Sequence, residues 1–291
     1  MRNLKIALVA GAVIASALTS ANAADLPPIM APRAMAPVQV EEMTGGWYLR
    51  GDIGAGQQSF KQFDFHQTNN AFVWPASWRI DQKDMGDAFF VGGGFGYQWN
   101  SWLRFDATAE YRAKAGFKAL GSYTEFCPNG RCFDAYDGKH SAVVVMANAY
   151  IDLGTWMCLT PFIGAGAGFA QHRITGLHDV GYISGPGTTG FGYAQSDLTE
   201  WKFAWAVHAG VAYNVNNNFK MELAYRYLNM GNVNTGIIDC AGSGCSTGGG
   251  PRAYYTFREM DSHDIKLGMR WMLAPEAAPQ PVYAPPLMRK G

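Results

Sequence analysis

Between Leu103 and Arg112 the chain changes character at every residue. Leu103, Phe105, Ala107, Ala109 and Tyr111 are apolar or aromatic, and Arg104, Asp106, Thr108, Glu110 and Arg112 between them are polar and mostly charged. A period of two belongs to an extended strand, whose successive side chains face opposite sides. Wound as a helix, the same segment would spread its charges around the whole circumference and leave no clean face to bury. Phe219 to Tyr227 repeats the pattern, with Phe219, Met221, Leu223, Tyr225 and Tyr227 against Lys220, Glu222, Ala224 and Arg226. An apolar row outside and a charged row inside is what a strand needs to cross a lipid bilayer as part of a closed barrel.

Six further segments follow the rule, starting near Trp47, Ala88, Ser141, Pro161, Trp201 and Asp264. The expected fold is therefore all-β: a transmembrane, antiparallel, up-and-down barrel of eight strands, or ten if the aromatic stretch Ala71 to Ile80 adds a hairpin. Some inner faces are almost bare: Gly92, Gly94 and Gly96 on one strand, Gly164, Gly166 and Gly168 on another. They leave room for long inner side chains elsewhere, as the narrow interior of an eight-stranded barrel requires. The inner charged set is Arg50, Asp52, Arg104, Asp106, Glu110, Arg112, Asp152, Lys202, Glu222, Arg226, Lys266 and Arg270. Two readings of it are open at this stage: a salt-bridged plug, in which buried charges pair because an unpaired one is costly, or a narrow hydrated path for small solutes.

The rest of the chain fits export to an outer membrane. Arg2 and Lys5 precede an apolar run from Ile6 to Leu18 and then Ala21-Asn22-Ala23, the small-x-small pattern cut by signal peptidase, so residues 1–23 read as a signal peptide. The apolar run is shorter than the roughly 20 residues a spanning helix needs, and no later segment approaches that length. Residues 24–45 form a Pro-rich arm, 46–273 the barrel and 274–291 a Pro-rich tail. Three short links, Asn100-Ser101, Gly154 to Leu159 and Asn214 to Asn218, mark the periplasmic end. Four long ones, Gln58 to Asp87, Phe117 to Lys139, Arg173 to Thr199 and Asn229 to His263, mark the outside. Only 16% of residues are charged, with no basic tract, so nucleic acid is not an expected partner; outer-membrane lipid and lipopolysaccharide are.

Cys127 and Cys132 bracket Pro-Asn-Gly-Arg, and Cys240 and Cys245 bracket Ala-Gly-Ser-Gly, each pair in one expected external loop. In an oxidising compartment this spacing points to two small disulfide loops, and it matches zinc-knuckle spacing poorly, so no metal is expected. Cys158 is left over beside a periplasmic turn.

The chain also resembles the small immunogenic porin-like outer-membrane proteins of alphaproteobacteria. The likeness rests on Ala21-Asn22-Ala23-Ala24-Asp25-Leu26-Pro27, on Gly46-Trp47-Tyr48-Leu49-Arg50-Gly51 opening the barrel, and on the closing stretch His263 to Trp271. It implies an abundant envelope component that contributes to integrity and surface exposure. The last stretch is similar to the signal read by the barrel-assembly machinery, with Lys266, Gly268, Trp271 and Leu273 as its positions. The resemblance further implies covalent attachment to peptidoglycan through a mature end beginning Ala24-Asp25.

Haem capture by the loop residues His66 and His178 is the alternative binding reading, and no cofactor is expected otherwise. An enzyme is not expected. The combinations that a hydrolytic barrel would use, His140-Ser141, His172, His178-Asp179 and Ser262-His263-Asp264, show no motif, and neighbours on a strand point to opposite faces.

Overall fold

A computed structural model of the chain describes residues 45–67, 75–125, 127, 130–183, 188–194, 197–241 and 252–273. Residues 1–44 and 274–291, which hold the expected signal peptide, Pro-rich arm and Pro-rich tail, lie outside the described residues. Among the described residues twelve strands follow in chain order: β1 Gly46–Ser59, β2 Gln62–Gln67, β3 Arg79–Met85, β4 Ala88–Gln98, β5 Leu103–Tyr123, β6 Cys132–Asp152, β7 Leu159–Ile183, β8 Thr188–Ala194, β9 Leu198–Asn214, β10 Phe219–Asn234, β11 Ile238–Ala241 and β12 Arg252–Met272.

Eight of these close a ring in which every contact is antiparallel, in the order β1-β4-β5-β6-β7-β9-β10-β12. The ring closes between β1 and β12, from Tyr48 opposite Met272 to Ser59 opposite Asp261. This is the eight-stranded meander that the period-two segments predict. Along β5 the outward Phe105 and Tyr111 are exposed while the inward Arg104 and Arg112 are completely buried, so the alternation in sequence is an alternation in space.

Short turns join the strands at one end. At two of them an asparagine side chain organises the loop: Asn100 Oδ1 accepts from the amides of Trp102 and Leu103 at 3.0 and 2.8 Å, and Asn216 Oδ1 does the same for Asn218 and Phe219 at 2.9 and 2.8 Å. At the third, Trp156 and Leu159 exchange both main-chain hydrogen bonds around Met157 and Cys158, whose φ angles are +46° and +67°. A two-residue hairpin with both central residues left-handed is normally built from Asn and Gly.

The connections read as long external loops are strand for much of their length, which corrects that reading. β5, β6 and β7 run on past the apolar belt, and β2, β3, β8 and β11 join them, so that a second storey of wall stands on the first in the order β3-β5-β6-β7-β8-β11-β12-β2. The sequence hid it because the side-chain pattern changes there. Outward positions become polar, as at Lys114, Lys118, Lys139 and Arg173, and inward ones apolar, as at Phe117, Tyr136, Ile174 and Leu177. Register shifts between Arg112 and Ala115, Asp137 and Lys139, and Asn229 and Gly231 interrupt the period of two near the boundary. The candidate hairpin at Ala71 to Ile80 contributes only the start of β3, in this upper storey; residues 71–74 lie outside the described residues.

Two of the bare glycines hold aromatic rings rather than charges. A Cβ on Gly96 would sit 2.3 Å from the Tyr48 ring, and one on Gly164 would sit 2.4 Å from the Tyr150 ring. Each tyrosine lies flat against a neighbouring strand because that strand has no side chain there.

Candidate functional site

The lumen of the lower storey is filled by ion pairs, contributed mainly by β1, β5, β10 and β12. Arg50 on β1 grips Asp52 two residues on, through Nε and Nη2 at 3.0 and 2.9 Å, and its Nη1 donates to Asp106 on β5 and to the Tyr150 hydroxyl on β6. Glu222 on β10 stands among three guanidiniums, with Arg270 at 3.1 Å, Arg104 at 3.3 Å and Arg50 at 3.4 Å. Arg104 also reaches Asp152 at 3.1 Å, and lies over the rings of Tyr150 and Phe162 at 4.1 and 4.6 Å. Lys266 completes this group, 3.6 Å from Asp52.

A second group lies above it. Arg112 makes a bidentate pair with Asp264 at 2.8 and 2.9 Å and donates to the Ser262 hydroxyl at 2.7 Å. Arg226 makes a bidentate pair with Glu110 at 2.7 and 2.8 Å and also donates to Asp264. The Phe90 ring lies against both guanidinium groups, its centre 5.0 Å from that of Arg112 and 4.9 Å from that of Arg226. Planar forks of this kind hold a carboxylate in a fixed orientation, which a lysine cannot do.

Eleven of the twelve residues of the expected inner set are buried in the lumen; Lys202 is half-exposed and pairs with Glu200 at 3.1 Å. Asp264 belongs to the set, and sequence reasoning missed it by grouping it with Ser262 and His263 instead of counting by twos from Lys266. With Asp264 in and Lys202 out, six basic side chains face six acidic ones, so the filled lumen carries no net charge.

Above the ion pairs a short chain of hydrogen bonds crosses the barrel: Gln58 to His140 at 3.2 Å, His140 to His172 at 2.9 Å, and His172 to the Met230 carbonyl at 3.1 Å. The carbonyl fixes the direction. His172 donates to it, so His172 accepts from His140, and the remaining His140 nitrogen must accept from Gln58. That requires the Gln58 amide to present its NH2, which otherwise has no partner. Over this chain sits an aromatic cap: Phe257 takes Phe60 and Phe117 edge-on at 5.0 and 4.8 Å, and Phe63 stacks on Tyr255 at 4.6 Å. At the top, in the upper storey, Tyr255 donates to Asp179 at 3.3 Å, and burial together with the Asp179 charge pushes the Asp134 carboxyl up to about 7.

The other sequence candidates do not converge. Ser262 is engaged with Arg112, whereas His263 faces outward and bonds the Tyr225 hydroxyl at 2.6 Å. His66 stacks on Tyr254 at 4.9 Å, and His178 contacts the Gly176 carbonyl at 3.2 Å. Among the described residues no group of three metal-ligating side chains comes together. Cys127 and Cys132 form a disulfide, and Cys158 is free and exposed. Cys240 lies in β11, while its expected partner Cys245 lies outside the described residues, as do Ala24 and Asp25. Of the closing stretch, Lys266 and Gly268 face the lumen, while Trp271 and Leu273 are exposed outside.

The profile of the family described as "Outer membrane protein beta-barrel domain" matches residues 7–268. The chain is similar to an uncharacterized protein of Brucella melitensis, 29% identical over 89% of this chain and 96% of the other. It is similar also to a Rickettsia prowazekii protein named as a candidate adhesin, 23% identical over 77% of this chain and 86% of that one. Among solved structures, OprG of Pseudomonas aeruginosa aligns with 79% of this chain and 97% of its own, at 13% identity and a TM-score of 0.46.

Proposed function

Because the chain belongs to the outer-membrane β-barrel family and sits in that membrane, we propose that it is a closed, non-catalytic structural barrel that carries an interaction surface above the lipid. The observation that supports this reading most is the lumen: six basic and six acidic side chains paired with one another, capped by His140, His172 and the rings around Phe257. A conducting pore keeps some of its charge hydrated, whereas pairing of this kind satisfies charges by taking them out of water. The upper storey supplies the surface, and the similarity to a candidate adhesin of Rickettsia prowazekii agrees with a role in contact.

The test is electrical. Purified, refolded protein added to planar bilayers should leave the membrane silent, and steady single-channel steps would overturn the closed-barrel reading.

The same proposal extends to the partners below the membrane. The closing stretch through Trp271 engages the barrel-assembly machinery, and the mature end at Ala24-Asp25 links the barrel to peptidoglycan. About twenty residues separate Ala24 from Trp47, and an extended chain of that length reaches about 70 Å. Muramidase digestion of washed cell walls followed by mass spectrometry should find a muropeptide on Ala24. An unmodified Ala24 throughout would remove the anchor and leave a free barrel.

A further inference from the structure

The upper storey, among the described residues, is a wall that stops short of closing. Among the described residues β3 pairs with β5 alone and β2 with β12 alone, so the two ends of the eight-stranded order face each other across a seam. Directly below, the ladder between β1 and β4 ends at Gly56 and Ala88, and the seam opens where it ends. An unpaired strand edge presents a row of main-chain N–H and C=O groups to whatever can pair with them.

The seam encloses a cleft of about 330 Å3, with Gln62, Phe63 and Asp64 on one side and Trp78, Ile80 and Gln82 on the other. Lys83 reaches across it from β3. Its ammonium donates to the main-chain carbonyls of Phe60 and Lys61, at 2.6 Å each, and lies 5.0 Å from the centre of the Phe60 ring. One side chain thus serves two acceptors that a neighbouring strand would serve, and a side chain can swing away.

The geometry points to this seam as a slot for one extended segment of a partner protein, which adds between β2 and β3 as a ninth strand and closes the upper wall. The inference rests on the proposed reading of the upper storey as an interaction surface. A polypeptide is the occupant that fits, because the strand edges need main-chain donors and acceptors, which an acyl chain lacks. Phe63, stacked on Tyr255, gives the slot an apolar floor, and Lys61, Asp64, Asp81 and Lys83 give it a rim of both signs. The matching segment alternates aromatic or β-branched residues facing inward with charged residues facing outward. Its length is set by the edges, six residues on β2 and seven on β3.

The test uses the full chain in phospholipid nanodiscs. The probe is a pool of synthetic peptides seven residues long, the length of the longer edge, alternating aromatic or β-branched with charged residues; a non-alternating pool of the same composition is the control. Hydrogen exchange should show protection of β2 and β3 amides together with the alternating pool and none with the control. The Gln62→Cys/Gln82→Cys variant, bridged by a reducible dimaleimide long enough to span the seam, should lose that protection and recover it on reduction, with wild-type protein taken through the same treatment. Lys83→Ala should bind the alternating pool at least as well as wild type. Protection of one edge only, protection elsewhere, or none even in Lys83→Ala would overturn the slot. So would protection by palmitate but by no peptide, or by self-association alone. Bilayer silence, recorded on the same preparation, reports on the closed barrel independently, so the slot can fail while that reading stands.

Discussion

Glu110 on β5 and Arg226 on β10 come from strands that are not neighbours in the ring, yet they meet through two hydrogen bonds of 2.7 and 2.8 Å. The pair is a brace across the lumen. Removing one partner leaves a buried charge, a loss that typically amounts to about 3–5 kcal/mol. Arg226→Met should therefore be strongly destabilising in urea refolding titrations in lipid. The double variant Glu110→Gln/Arg226→Met keeps the Arg112–Asp264 pair intact and should recover much of the loss. Additive losses in the two single variants would mean that the pair is not coupled.

Ala107 faces the bilayer from the middle of the lipid-facing stretch Leu103–Tyr111 of β5, and Thr108 faces the lumen, where it accepts a hydrogen bond from Asn148 at 3.1 Å. Ala107→Arg should cost about 2–4 kcal/mol, the range for a basic residue facing lipid near the midplane. Thr108→Ala removes one modest hydrogen bond and should cost about 1 kcal/mol. Equal losses in the same titration would mean that the register is shifted by one residue.

Asp134 lies above the membrane, with a carboxyl pushed up to about 7 from its ordinary value of 3.8, chiefly by burial and then by the Asp179 charge. The folded upper storey therefore binds a proton more tightly than the unfolded chain. Its stability should be greatest below about pH 4, fall as pH rises through that interval and level off above 7. Hydrogen exchange of β6 and β7 amides between pH 4 and 8, corrected for intrinsic rates, should show the decline, and Asp134→Asn should flatten it. A slope unchanged in the variant would assign the effect to another group.

The turn at Met157-Cys158 holds two residues with side chains at positive φ, where Asn and Gly are at home. Met157→Asn/Cys158→Gly should stabilise the barrel by about 1 kcal/mol, an amount set by the cost of left-handed backbone for ordinary residues. Heat-dependent gel mobility, with folded and unfolded bands compared across temperature, gives the measurement. A lower midpoint would show that these side chains make contacts worth more than the strain.

The period of two exposed the lower storey because lipid outside and charge inside give every strand one strong contrast. It placed Arg104, Glu110 and Arg226 on the correct face before any pairing was known. It failed above, where Phe117, Tyr136 and Leu177 point inward from polar strands. There the contrast reverses, and the irregularity near Gly176, at a φ of +61°, breaks the count between Ile174 and Leu177. The aromatic cap and the seam depend on such reversed, interrupted segments, so no single stretch of sequence announces them. The histidine chain escaped for another reason: His140 and His172 are distant in sequence and meet only because β6 and β7 pair.

The exchange of character between the two storeys also fixes how deeply the molecule rides. Pressed one level further into the bilayer, it would carry Lys114, Lys139 and Arg173 into hydrocarbon; lifted one level, it would lose cover from Phe89 and Trp201. Both displacements are resisted at once by residues on several strands. The protein floats at a set draught, and whatever its upper rim touches is held at a constant height above the cell.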